Sequence, residues 1–247
     1  MLISSTRLNS MGRLNLLMLL FLTSFAAFSQ KKNEVSIGYI DRYEKLPKIN
    51  IQKTTAAEYE QYKPGKALVK LKLKETKSSF QIITKGKPYW LKKYDPRTSG
   101  DGFRGFEYFG YFPKLKMYVL TSNATSEHIG FSDLILVDSL SNYRYSIVSI
   151  GDAAVETPVP SVNSKYLLYF YNEVYNANNC TIAILKVNNR KVPSKLLTEY
   201  QYFKTDKWTV DQIQWIDDQS FLIKALVSKM ENSQRSKHFE YYKAKLD

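Results

Sequence analysis

From residue 107 onward the chain repeats one pattern three times: a short run of Val, Ile, Leu and aromatic residues, a polar turn, then another such run. Residues of this kind fit a pleated, half-buried surface, and the Asn, Asp, Ser and Lys clusters between the runs write turns. The first unit comprises residues 107–112, 116–121, 133–138 and 143–148. The second comprises a turn at 160–165 followed by runs at 166–171, 181–187 and 195–200. The third has runs at 211–215, 220–227 and 239–246 and lacks a fourth. Aligning Lys116, Lys165 and Gln219 gives spacings of 49 and 54 residues. Four antiparallel strands occupy about 45 to 50 residues, so each unit is read as one four-stranded sheet.

The segment before the repeats is shorter and more polar. Residues 30–53 are expected to be an extended linker, and a single β-rich domain is expected over 54–247, with the repeats at 107–247. Thr55-Ala56-Ala57-Glu58 matches a capping box, in which threonine and glutamate each satisfy a free backbone N–H at a helix start. A short helix through about Tyr62 follows, stopped at Pro64-Gly65. Strands are expected at 67–74, 79–84 and 89–94, then a loop at 95–102. The fold class is therefore all-β, a propeller-like array of antiparallel four-stranded sheets with one short N-terminal helix. The array closes only if the strands of 67–94 form a fourth sheet or complete the third one; otherwise it stays open, with an edge to protect.

Ser161-Val162-Asn163-Ser164-Lys165-Tyr166-Leu167-Leu168-Tyr169 resembles the Ser-Pro-Asp-Gly-Lys-x-Leu-Ala-Phe signature of TolB-like and WD40-like propeller blades. Trp215-Ile216-Asp217-Asp218-Gln219-Ser220-Phe221-Leu222 resembles the same turn with its preceding tryptophan, and residues 112–118 match it less closely. The resemblance covers residues 107–246 and implies that each turn leads into a buried strand. Val162 and Ser164 stand where the signature has proline and glycine.

Residues 1–29 read as a secretory signal peptide: Arg7 and Arg13 precede an apolar run from Leu14 to Leu22, and Ala27 and Ser29 fit the −3 and −1 positions of a signal-peptidase site. Cleavage between Ser29 and Gln30 is expected, and Met11 is an alternative start. The apolar run ends before the roughly 20 residues that spanning needs. The one cysteine, Cys180, lies far from the leader, so no covalent membrane anchor is expected. The Ala-Phe-Ser ending resembles leaders of Bacteroidetes, which implies a periplasmic or secreted protein.

The formal net charge of +13 falls to +11 once Arg7 and Arg13 leave with the leader. A basic exported chain is suited to anionic headgroups or acidic glycans. Charge concentrates at residues 63–93, where ten lysines face one acid, Glu75. Within it Lys70, Lys72 and Lys74 alternate with Val69, Leu71 and Leu73, which places the three lysines on one strand face. That face is read either as an anion-binding stripe or as protection of an exposed strand edge. Nucleic acid is not the expected partner, because nothing spaces the nearby aromatics for base stacking.

Catalytic signatures are missing. The sequence has no Gly-x-Ser-x-Gly elbow, no Walker loop and no paired-histidine or Cys-x-x-Cys motif, so no cofactor and no metal is expected. The two histidines, His128 and His238, fall in a loop and at a strand start, and Asp217-Asp218 reads as turn chemistry. Cys180 precedes an apolar run and reads as a small buried residue. The leading expectation is a non-enzymatic module that binds a protein or glycan partner through loops or an open end. The alternative is a cell-envelope polysaccharide hydrolase or lyase whose carboxylates are brought together by folding.

Overall fold

The computed structural model describes residues 33–63, 65–95, 102–126, 129–148, 157–173, 178–231 and 234–247, and the elements below belong to the unit Glu34–Asp247. The expected signal peptide, with its expected Ser29–Gln30 cleavage point, lies outside the described residues, as does most of the expected 95–102 loop. No helix among the described residues is long and apolar enough to cross a membrane.

The chain is all-β; among the described residues sixteen strands form four sheets, and from Lys74 onward the sheets follow chain order. Sheet 1 has three strands, β3 (Lys74–Glu75), β4 (Ser79–Thr84) and β5 (Lys87–Lys92). Sheet 2 contains β6 (Arg104–Phe112), β7 (Met117–Ser126), β8 (Ile129–Asp138) and β9 (Arg144–Ile147). Sheet 3 contains β10 (Val159–Pro160), β11 (Tyr166–Asn172), β12 (Cys180–Val187) and β13 (Leu197–Thr205). Sheet 4 contains β14 (Thr209–Trp215), β15 (Ser220–Glu231) and β16 (Gln234–Lys245). Consecutive strands within each sheet pair antiparallel, so the three sequence units are three sheets and the 67–94 segment makes a fourth.

Three cores separate the four sheets, and the alternation of side chains along each strand shows why. In β7, Tyr118 and Leu120 join Phe80, Ile82 and Leu91 in a core between sheets 1 and 2. Met117 and Val119 of the same strand point the other way, into a core with Leu167, Tyr169, Ala183 and Leu185 of sheet 3. Leu168, Ile182 and Ile184 in turn meet Trp208, Ile213, Phe221 and Ile223 of sheet 4. Sheets 2 and 3 are thus buried on both faces, which is why β7, β8, β11 and β12 read as unbroken apolar runs and not as alternating ones. Each core joins successive sheets only, and the array is not closed.

The N-terminal stretch departs from the sequence expectation. The sequence reads residues 30–53 as an extended linker; the described part of that stretch, continuing to Thr54, forms an ordered belt along the outer rims of sheets 2, 3 and 4. β1 (Glu34–Ile37) pairs parallel with β9, so sheet 2 gains a fifth strand. A one-turn helix α1 (Ile40–Tyr43) then buries Tyr43 completely, and its hydroxyl meets that of Tyr169 at 3.0 Å. Lys48 bridges Tyr202 of β13, and the buried Ile49 donates its N–H to the Tyr202 carbonyl at 2.9 Å. Finally β2 (Asn50–Thr54) pairs antiparallel with β16 and completes sheet 4, the unit whose last strand was missing from the repeat. Rim strands otherwise offer unpaired backbone groups to other chains, and the belt occupies them.

Helix α2 (Ala56–Glu60) starts at the predicted cap: Thr55 Oγ1 accepts from the Glu58 N–H at 3.1 Å. The Glu58 carboxylate does not close the box; it receives Lys243 Nζ at 2.8 Å and the Thr54 hydroxyl. The helix lies on the outer face of sheet 4, where Tyr59 donates to Gln212 at 2.8 Å and its ring lies 5.3 Å from that of Tyr241. With α1 the described residues hold two short α-helices where one was expected.

Candidate functional site

After α2 the chain returns along the inner edges of sheets 4, 3 and 2. Residues 67–74, expected as one strand, pair with strand backbone at two places among the described residues: Val69 bridges Tyr111, and β3 begins at Lys74. The close approach of this strap to β6 needs Gly110, whose φ is +159°; a Cβ there would lie 2.6 Å from Leu68.

Between the strap and the inner sheet edges lies a cavity of about 430 Å³, within the range of small-ligand sites. Lys63, Lys66, Ala67 and Val69 line it from the strap, and Phe112, Pro113 and Lys114 from the turn after β6. Val159, Pro160 and Val162 supply the sheet 3 wall; Ile213, Gln214 and Trp215 supply that of sheet 4. The walls are locked: Trp215 Nε1 donates to the Val159 carbonyl at 3.0 Å, and Lys114 Nζ donates to the Val162 carbonyl at 2.7 Å. Gln214 is 1 % exposed, and its Nε2 donates to the Tyr59 carbonyl at 2.6 Å. Its Oε1 has no hydrogen-bond partner among the described residues. The lining therefore pairs an apolar body with three exposed lysines and contains no carboxylate.

Asp218 anchors the sheet 3 wall. It accepts Ser161 Oγ at 2.8 Å, the Asn163 N–H at 2.8 Å and Asn163 Nδ2 at 3.1 Å, with Lys165 Nζ 3.5 Å away. Burial alone would raise its carboxyl, but the hydrogen bonds from Asn163 and Ser161 and the Lys165 charge outweigh that and hold it below the ordinary carboxylate range. Asp217 is the local turn residue, accepting from the N–H groups of Gln219 and Ser220 at 2.6 and 2.7 Å.

The turns also revise the repeat register. Pro113–Lys116 and Ser161–Ser164 each close with a bond from the fourth N–H to the first carbonyl, at 3.3 and 2.8 Å. Lys116 has φ +55° and Ser164 φ +60°. Lys116 therefore corresponds to Ser164, not Lys165, and the unit is one residue shorter than the lysine alignment implied.

The three lysines of the sequence stripe are not held together as one regular strand face. Lys70 Nζ donates to the Tyr108 carbonyl at 3.1 Å and lies 5.3 Å from the Tyr108 ring. Lys72 is exposed in the strap, and Lys74 is exposed in β3 opposite Gln81. Lys70 lines a second, shallower groove with Glu75, Lys93, Tyr94, Glu107 and Tyr108. Both acids there are engaged, Glu75 by Lys93 at 2.7 Å and Glu107 by Thr121 and Asn123 at 3.3 and 3.2 Å. His128 lies outside the described residues, and His238 is an exposed neighbour of Glu240 at 3.7 Å. Among the described residues no cluster of three or more His, Cys, Asp or Glu is arranged to hold a metal ion. Cys180 is buried, and burial pushes its thiol up to about 12, which disfavours the reactive thiolate.

Sequence reasoning missed the cavity, because its walls come from four segments that are far apart in the chain. The one signal pointing toward it was the Ser161–Tyr169 turn motif. Comparison with protein-family models, with curated proteins and with solved structures returned no match.

Proposed function

We propose that this chain is an exported, non-enzymatic binding module that captures an anionic, partly apolar segment of a protein or glycan partner. The observation that carries this reading is the inner-edge cavity, apolar within, rimmed by Lys63, Lys66 and Lys114, and free of carboxylates. A general acid–base pair of the hydrolase kind needs two titratable groups of suitable environment, and this lining has lysines but no carboxylate, histidine, cysteine or tyrosine to partner them. The turns at 113–116 and 161–164 support grouping the module with the propeller-type proteins that its motif resembles. Its basic charge and its leader support action beyond the inner membrane.

Trp215 in the cavity wall is the reporter, read in a Trp90→Phe background so that the exposed Trp90 does not contribute. Titration with the capped peptide acetyl-Leu-Phe-Asp and with a uronic-acid disaccharide should shift tryptophan emission with at least one of them, whereas acetyl-Leu-Phe-Lys should not. Lys66→Glu with Lys114→Glu should weaken the acidic probe roughly fivefold per lysine, about 1 kcal/mol each. Equal response to acidic and basic peptides, or no response to either acidic probe, refutes the proposal.

A further inference from the structure

The two ends of the sheet stack differ. The outer face of sheet 4 is covered by α2, whose Tyr59 is 7 % exposed. Sheet 1, at the other end, packs Phe80, Ile82 and Leu91 onto sheet 2. Strand alternation then turns Ser79, Gln81 and Ile83 of β4, and Pro88, Trp90 and Lys92 of β5, outward. Cross-strand register places Ile83 beside Pro88, and Trp90 beside Gln81, which is itself beside Lys74. Ile83 is 46 % and Trp90 44 % exposed. This apolar centre is flanked by cations: Lys85 at the hairpin turn, with Lys87 beside it on the opposite side of β5, and Lys74, Lys77 and Lys92 toward the other end, all exposed. Glu75 is the one acid of residues 74–93, and Lys93 already engages it at 2.7 Å.

We propose that the outer face of sheet 1 docks on an anionic lipid bilayer, with Trp90, Ile83 and Pro88 in the interfacial layer and the surrounding lysines on headgroup phosphates. Charge complementarity selects an anionic partner. The apolar centre selects lipid over a soluble polyanion, which would engage the lysines and gain nothing from burying Ile83 and Pro88. A flat amphipathic surface with basic residues around an apolar, tryptophan-bearing centre has the two-layer chemistry of a membrane interface. The surface is distinct from the inner-edge cavity, so the two readings stand or fall separately.

The test uses the full chain and vesicles of phosphatidylcholine with or without phosphatidylglycerol, read by co-sedimentation and tryptophan emission. Trp208 and Trp215 are 2 % and 8 % exposed, so an emission change on vesicle addition reports Trp90. Binding should require phosphatidylglycerol, shift emission to the blue and weaken with salt. Each lysine near an anionic surface contributes about fivefold. The triple variant Lys74→Glu, Lys85→Glu, Lys92→Glu should therefore lower partitioning by at least about a hundredfold, with unchanged circular dichroism. Lys195→Glu with Lys204→Glu, exposed just before β13 and near its end in sheet 3, should lower it far less. Trp90→Phe should abolish the blue shift while much of the binding remains. The proposal is overturned if vesicles are not bound, if the sheet 3 variant loses as much binding per charge, or if Trp90 emission stays unchanged in the bound state. Preference for soluble polyglutamate over vesicles, with the same emission change, would reassign the face to an acidic macromolecule.

Discussion

Replacing Asp218 with alanine tests whether the sheet 3–sheet 4 junction depends on one carboxylate. Asp218 is 9 % exposed and Ser161 3 %, and the Ser161 hydroxyl both donates to Asp218 at 2.8 Å and accepts the Tyr166 N–H at 3.1 Å. Asp218→Ala leaves that buried hydroxyl without its acceptor, a loss of about 1–3 kcal/mol. The Asn163 groups lie nearer solvent and recruit water, adding about 0.5–1 kcal/mol, and the exposed Lys165 adds little. The expected loss is about 2–3 kcal/mol, read as a lower urea midpoint at unchanged slope. A double-mutant cycle with Ser161→Ala should return at least about 1 kcal/mol of coupling. Acidity gives a second reading. The folded carboxyl titrates below its unfolded value, so its contribution is full above roughly pH 4 and is lost as pH falls through the folded pKa. The stability gap between the native chain and Asp218→Asn should therefore close on acidification below about pH 4. A loss under about 0.5 kcal/mol, absent coupling, or a gap independent of pH would refute the assignment.

Ser164→Gly should stabilise the protein by about 0.5–1 kcal/mol in urea unfolding, because Ser164 holds φ +60°, a conformation that costs a non-glycine residue about 1–2 kcal/mol. Gly38→Ala should destabilise by about 3 kcal/mol in the same assay, since φ is +92° and a Cβ would sit 2.5 Å from the Tyr169 hydroxyl. Tyr59→Phe removes the bond to Gln212 and should cost about 1 kcal/mol by thermal or urea unfolding, with the helix still in place.

The chain discloses its sheets and conceals how they are held. Strands with two buried faces carry their identity in composition: Met117–Leu120, Leu134–Val137 and Tyr166–Tyr169 are apolar at nearly every position because each neighbour faces a different core. Turn positions were legible to within one residue. The motif located the Ser161–Ser164 turn, but only the backbone shows that Lys116 is the left-handed residue of its counterpart. The belt could not be read this way. A strand added to a rim is recognised through backbone hydrogen bonds, which no side chain announces. Along 34–54 the buried apolar side chains are Ile37, Tyr43 and Ile49, with Val35, Leu46 and Ile51 partly buried, too widely spaced to write a strand or helix period. The lysine-rich segment misled in the opposite sense. Its alternation from Val69 to Lys74 imitates a strand, yet the chain there is a strap crossing sheet edges, with Leu71 39 % exposed and Lys70 folded back onto Tyr108. Alternation reports which side chains share a direction, not whether a neighbouring strand exists to pair with. The cavity is the product of both silent elements. Belt and α2 set where the chain turns inward, the strap closes the inner edges through the Val69–Tyr111 bridge, and residues from 63 to 215 line one space. A substitution that frees the belt, such as Gly38→Ala, is thus expected to weaken acidic-peptide capture at the cavity as well as stability, although Gly38 does not line it.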